Sequence, residues 1–214
     1  MRGLRLRWRV LLASGAGVLV LALPGAASAA LLSDVLPGLV SPEGESPACD
    51  TSASQVFVPW SDSSYYVLMP GGAFEGDADW TLKNGARVVA GNESFFVHSA
   101  RDRFSLFLPA GASATTPPMC FAFGDWHLRM FARDSGSDGR IRVTIIVRSL
   151  LGVVSVLDAG SFSPATGWRP SPKIGLLLTN IGGLLATDTI QLRLTASGGS
   201  AQLDDAYLDP WKNT

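Results

Sequence analysis

The sequence predicts an all-β domain, a sandwich or a barrel. Three observations carry this. From about Val56 onward, short apolar or alternating runs are separated by glycine, proline and aspartate roughly every eight to twelve residues. Beyond the N-terminal segment no stretch holds helical periodicity over a useful length. Hydrophobic residues make up 47% of the 214 residues and charged residues only 16%, a composition that can bury a core.

The elements follow in chain order. Met1–Arg9 is arginine-rich, and Val10–Leu23 carries no charge. Pro24-Gly25 then breaks the run, and Ala27-Ser28-Ala29 offers a small-x-small cleavage site. This is the tripartite pattern of a secretory signal peptide over residues 1–29. The apolar stretch is shorter than the roughly 20 residues that a spanning helix needs, so an uncleaved anchor is the lesser alternative. The chain is therefore expected to be secreted, with no stable membrane insertion after cleavage. Residues 30–55 read as a linker, rich in Pro, Ser, Gly and Glu, and residues 56–214 as the folded domain. The apolar stretch Ile174–Ala186 is interrupted by Thr179-Asn180 and Gly182-Gly183, so it does not read as a second span.

Within the domain, the expected strands are Tyr65–Met69, Trp80–Leu82, Arg87–Val89, Ser94–Val97, Phe104–Leu108, Cys120–Phe123, His127–Arg133, Arg140–Arg148, Val153–Leu157, Thr189–Thr195 and Gln202–Leu208. The strongest pair, His127–Arg133 and Arg140–Arg148, is joined by Asp134–Gly139. That segment has some character of a calcium loop but lacks the acidic twelfth position, which is Ile145. It reads as a hairpin turn.

Alternation assigns faces. Leu128, Met130, Ile141, Val143, Ile145, Val147, Ile190, Leu192 and Leu194 point inward. Arg129, Arg142, Arg193 and Gln191 point outward, together with Phe131 and Ile146. This outer face is either a solvated sheet surface or the floor of a binding cleft, since guanidinium forks donate well to hydroxyls and carboxylates. Trp126 and Trp168 fall in predicted turns. They are either stacking platforms for a ligand or lids on the sandwich ends.

Removing residues 1–29 removes four arginines and leaves 13 basic against 18 acidic groups, a net charge of −5. That balance argues against a nucleic-acid partner. Two cysteines in an exported chain, Cys49 and Cys120, suggest one disulfide. It would close a loop of about 70 residues, worth roughly 4 kcal/mol by loop-closure entropy. His98 and His127 show no short ligand spacing, and no G-x-S-x-G elbow or phosphate-cradling glycine loop is present. No catalytic residues are assigned, and the chain is expected not to be an enzyme.

Two segments carry a family resemblance. Gly71-Gly72-Ala73-Phe74-Glu75-Gly76 followed by Trp80 resembles the opening of galactose-binding-like jelly rolls. These include carbohydrate-binding modules of families four, nine and twenty-two. Ala201-Gln202-Leu203-Asp204-Asp205-Ala206-Tyr207-Leu208 resembles their closing strand. The likeness covers about residues 64–211 and implies a two-sheet β-sandwich, a jelly roll. Phe57-Val58-Pro59-Trp60, Gly91-Asn92-Glu93 and Leu108-Pro109-Ala110-Gly111 are similar to short secreted proteins of high-GC Gram-positive bacteria, which adds compartment and fold but no chemistry.

In the jelly-roll modules the opening glutamate and a closing aspartate commonly hold structural calcium. The resemblance therefore implies calcium at Glu75 and at Asp204 or Asp205. It also suggests non-catalytic binding of a polysaccharide or cell-envelope glycan, and the outward strand faces and turn tryptophans read above supply the candidates: Trp126 or Trp168 for stacking, with hydrogen bonds from Arg129, Arg142, Arg193 and Gln191. The alternative is a structural or protein-interaction module of the envelope with no sugar ligand.

Overall fold

The computed structural model describes residues 52–76, 79–119, 125–136, 138–148, 152–177 and 189–209. The chain divides into two compact units, Met1–Gly44 and Glu45–Thr214, and all described residues belong to the second. The signal segment 1–29, residues 30–51 of the linker, Cys49, Cys120 and the strand expected at Cys120–Phe123 lie outside the described residues.

The described residues form twelve strands and one 3-10 turn, Val58–Trp60. The strands are β1 (Val67–Leu68), β2 (Thr81–Lys83), β3 (Arg87–Ala90), β4 (Phe104–Leu108), β5 (Ser113–Thr115), β6 (Asp125–Asp134), β7 (Arg140–Arg148), β8 (Val154–Phe162), β9 (Arg169–Pro170), β10 (Ile174–Leu177), β11 (Thr189–Ser197) and β12 (Ala201–Asp209). They make two antiparallel sheets. The larger runs β10-β6-β12-β4-β3, with β9 beside β6 and β1 beside β12. The smaller runs β2-β5-β11-β7-β8. The chain is thus a β-sandwich with the jelly-roll pattern of long strands exchanged between sheets.

The core is the space between the sheets. Leu128, Met130 and Ala132 of β6 and Leu203 of β12 face Ile141, Val143, Ile145 and Val147 of β7 and Ile190, Leu192 and Leu194 of β11. All are buried, as alternation predicts. Each of these side chains except Ala132 contributes about 1.5–3 kcal/mol through area removed from water. Trp80 closes one end: it packs edge-on to Phe74 at 5.1 Å, and its indole N–H donates to Pro70 O at 2.8 Å.

Three expectations are corrected. First, Asp134–Gly139 is not a hairpin. β6 pairs with β9, β10 and β12, and β7 pairs with β8 and β11, so the segment crosses from one sheet to the other. The crossover is held by Asp134 N donating to Ala165 O (2.6 Å) and Ser135 N donating to Ser200 O (2.9 Å). It also packs on the β11–β12 crossover so tightly that a Cβ at Gly198, where φ is +75°, would lie 2.4 Å from Asp138 O.

Second, Ser94–Val97 is not a strand. The Glu93 carboxylate accepts the N–H groups of Phe95 and Val97, each at 2.5 Å, and takes these donors from any ladder. Third, β5, β9 and β10 go unpredicted. β5 is built of Ser, Ala and Thr and carries no apolar alternation, and β9 contains only Arg169 and Pro170.

Among the described residues no helix is long and apolar enough to cross a membrane.

The closing strand β12 carries a bulge between Asp204 and Tyr207. The opening segment seats against it. Met69 N donates to Ala206 O (2.9 Å) and Ala206 N donates to Gly72 O (3.0 Å). A Cβ at Gly72 would stand 2.6 Å from Ala206 O and 3.0 Å from Met69 O, both backbone atoms. Gly72→Ala is therefore expected to cost about 1–3 kcal/mol, read as a lower urea midpoint at unchanged m-value. An unchanged midpoint would mean that this contact yields without cost.

Candidate functional site

The outer face of the larger sheet carries two unlike zones. One is covered. The 3-10 turn at Val58–Trp60 and the Ser54–Tyr66 bridge fold the stretch 52–68 back over the sheet. Phe57 stacks on Phe131 of β6 (centroids 5.6 Å, interplanar 23°) and meets Tyr66 and Tyr207 edge-on at 4.8 and 5.7 Å. Trp60 meets Phe131 at 5.1 Å and Phe95 at 5.0 Å. Val56, Pro59, Trp60, Phe95 and Val97 line an open hollow of about 550 Å³ at its margin.

Beneath this cover lies a buried polar knot. Asp62 accepts from Arg129 Nη1 at 2.6 Å, Lys173 Nζ at 2.8 Å and Tyr66 Oη at 2.7 Å. Arg129 also donates through Nε to Ser171 O at 3.0 Å, and its guanidinium lies 4.6 Å from the Phe57 ring centre. Burial pushes the Asp62 carboxyl up, but hydrogen bonds from Lys173, Tyr66 and Ser64 outweigh it and hold the group well below the usual carboxylate range.

The second zone is less covered: Arg87 is exposed, Phe107, Arg133 and Trp168 are half-buried, and Gln202 is buried. Register places Arg87 of β3, Phe107 of β4, Gln202 of β12 and Arg133 of β6 directly opposite one another across four neighbouring strands, all on the outer face. Trp168 extends the row: the Arg133 guanidinium lies 5.2 Å from its ring centre, and the Arg87 guanidinium lies 4.5 Å from that of Phe107. Arg133 Nε donates to Gln202 Oε1, and Arg87 Nη1 donates to Gly85 O at 3.1 Å. A guanidinium has five N–H donors, and these bonds engage one on each. Trp168 and Trp60 pack against the same buried cluster, so the row and the hollow adjoin.

A third feature sits at the β12 bulge. Asp204 and Asp205 are buried. Asp204 accepts from Glu93 N at 2.7 Å and from Asp205 N at 3.0 Å. Asp205, at φ +45°, accepts His98 N on Oδ2 at 3.0 Å. Burial is the main cause that pushes Asp204 up to about 8 and Asp205 up to about 7. Backbone donors pull both down, and neighbouring carboxylates push both further up. Glu93 is raised for the same first reason.

The carboxylates that the resemblance assigns to calcium all accept backbone N–H groups. Glu75 spends Oε1 on the N–H groups of Arg103 and Phe104, both at 2.6 Å. Both oxygens of Asp204 face backbone N–H groups. The described side chains whose donor atoms converge, all within 4.8 Å of one another, are His98, Asp102 and Asp205. Calcium takes six to eight oxygen ligands, and N–H groups aimed at a carboxylate compete with a cation.

The other expected site residues scatter. Trp126 lies in the core at 4% exposure and offers no face to a ligand. Arg129 is consumed by Asp62 and Ser171. Arg142, Arg193 and Gln191 lie on the smaller sheet, on the opposite side of the sandwich from Arg129. There Arg142 is 3.7 Å from Asp158, Arg193 donates to Thr115 Oγ1 (3.3 Å) and Gln191 donates to Thr116 O (2.8 Å). Alternation gives in and out but not which sheet, so one arginine-bearing face was expected where there are two. Of the expected platform residues, Trp168 reaches the row.

No protein-family model matches the chain, and no curated protein matches it. Solved structures do. The xylan-binding CBM22-1 domain of Paenibacillus barcinonensis Xyn10C is 12% identical, with a TM-score of 0.45 over 70% of this chain and 94% of that one. The family 11 carbohydrate-binding module of Clostridium thermocellum, in complex with a β-1,3-1,4-mixed-linked tetrasaccharide, is 16% identical, with a TM-score of 0.45 over 70% and 98%. The CBM22-1–GH10 modules of xylanase 10B from the same organism, complexed with xylohexaose, give 16% and a TM-score of 0.48 over 71% of this chain and 29% of that one.

Proposed function

We propose that this chain is a secreted, non-catalytic module that binds a polysaccharide or cell-envelope glycan on the outer face of its larger sheet. The observation that supports it is the row Arg87, Phe107, Gln202, Arg133 and Trp168. Sugar rings present apolar C–H faces and rims of hydroxyls. A row that sets aromatic rings beside guanidinium and amide groups suits both, and four of its five residues lie on strands, so little ordering cost is added on binding. The covered zone supplies a wall: Trp60 and Phe95 rise beside the row.

Binding is expected on at least one member of a panel of bacterial-wall and plant polysaccharides, read by retardation in affinity gels. Arg133→Ala should weaken it about 10–100-fold, the equivalent of losing hydrogen bonds to a charged donor. Trp168→Ala should act in the same direction. Arg142→Ala and Arg193→Ala, on the opposite face, should leave it unchanged. Retention on no polysaccharide, or loss only with the latter pair, overturns the reading.

A second reading, a protein-interaction module, is favoured by one observation: Val58, Tyr65, Phe95 and Phe96 are exposed, the last two at 42% and 48%. It predicts a co-purifying protein and tryptophan fluorescence that no sugar quenches.

A further inference from the structure

We propose that His98, Asp102 and Asp205 form a binding site for a zinc-class divalent cation, one that discriminates against calcium. It stands apart from the glycan reading and uses none of the row residues.

The trio comes from two elements. His98 and Asp102 lie on the β3–β4 loop, four residues apart, in a turn closed by Asp102 N donating to Ser99 O at 3.1 Å. Asp205 is delivered by the β12 bulge. His98 Nδ1 lies 2.7 Å from Asp102 Oδ2, and the three donor atoms all fall within 4.8 Å of one another. Around a tetrahedral ion with bonds of 2.0–2.1 Å, donor atoms stand about 3.3 Å apart. The trio brackets that spacing, so an ion can replace the proton between imidazole and carboxylate with small movements.

An independent observation points to a ligand. Asp205 is fully buried, its Oδ2 takes the His98 N–H, and its Oδ1 has no hydrogen-bond partner among the described residues. A buried carboxylate oxygen without a donor costs free energy that a bound cation would recover. The residue is also held at φ +45°, a left-handed conformation that a non-glycine residue adopts when its surroundings impose it.

The donor types choose the metal. One imidazole and two carboxylates make a mixed nitrogen and oxygen set of three, the usual count for a zinc site that keeps one position for water. Calcium needs six or more oxygens, and nearby Asp204 and Glu93 are turned to backbone N–H groups instead. His98 is the most exposed member, with 39% of its side chain accessible, so a water ligand and an entry path lie on its side.

The test uses the full chain, stripped with chelator and dialysed, then titrated with zinc chloride or calcium chloride while thermal unfolding is followed. Zinc at about a hundredfold excess over its Kd should raise Tm by about 5–10 °C, and calcium by less than about 1 °C. His98→Ala, a change at a half-exposed position that should leave the fold intact, should abolish the zinc shift. His127→Ala, at the other histidine, should keep it. No zinc shift, a calcium shift as large as that of zinc, or a zinc shift lost with His127→Ala and kept with His98→Ala would each overturn the proposal.

Discussion

Asp62→Ala is expected to lower stability by about 3–5 kcal/mol, the cost of leaving a buried cation without its counter-charge. For a chain of this size that is a fall in Tm of roughly 6–20 °C. The effect is large because four donors converge on one carboxylate: Arg129, Lys173, Tyr66 and the Ser64 N–H. With the carboxylate gone, Arg129 still has Ser171 O and the Phe57 ring face but loses its shortest charged partner.

The same group sets an acid limb. Its folded pKa lies below its unfolded value of about 3.9, so its contribution is fully present above about pH 4 and is lost as pH falls below it. A urea midpoint followed from pH 6 down to pH 2 should fall more steeply for the parent than for Asp62→Ala below pH 4. Parallel curves, or a Tm within 2 °C of the parent, would show that the knot adds nothing to stability.

Phe57→Ala should cost a similar amount, about 3–5 kcal/mol, for a different reason. Phe57 is fully buried although it precedes the first strand. Its ring is the hub of the cover, touching Phe131, Tyr66, Tyr207 and Trp60, with the Arg129 guanidinium over its face. Truncation leaves a ring-sized cavity above the sheet and removes the surface on which Arg129 rests. Thermal unfolding should again fall by roughly 6–20 °C. Tryptophan emission should shift red as Trp60 gains water. A variant that melts with the parent and keeps its emission would mean that the stretch 52–68 is held by its backbone bonds and not by this ring.

These two residues mark the limit of what could be read in advance. Phe131 reads as outward-facing, and it is, yet it is fully buried, because the first stretch of the domain, before and through its first strand, folds over it. Nothing local announces that cover. Phe57 and Asp62 become a hub and an anchor only once Phe131 and Arg129 stand beneath them. The row is equally hidden. Arg87, Phe107, Gln202 and Arg133 lie far apart in sequence and meet through strand register alone. For His98 and Asp102 the sequence does hold a signal, a four-residue spacing, but their third partner is 103 residues away from Asp102 and reaches them through a bulge.

What the sequence determined by itself is the class of structure and the inner faces of its long strands. Alternation along β6, β7 and β11 is a local property, since successive side chains of an extended chain must point to opposite sides, and every inward position of these strands is buried, while the outward Arg129, Phe131 and Ile146 are buried as well. Only the tertiary structure decided which strands share a sheet, which outer face is covered and which carboxylates meet. Sheet membership is set by backbone hydrogen bonds between distant segments, and those bonds are blind to side-chain identity. The arginines of β6 and of β7 and β11 therefore carry the same pattern in sequence and end on opposite sides of the sandwich.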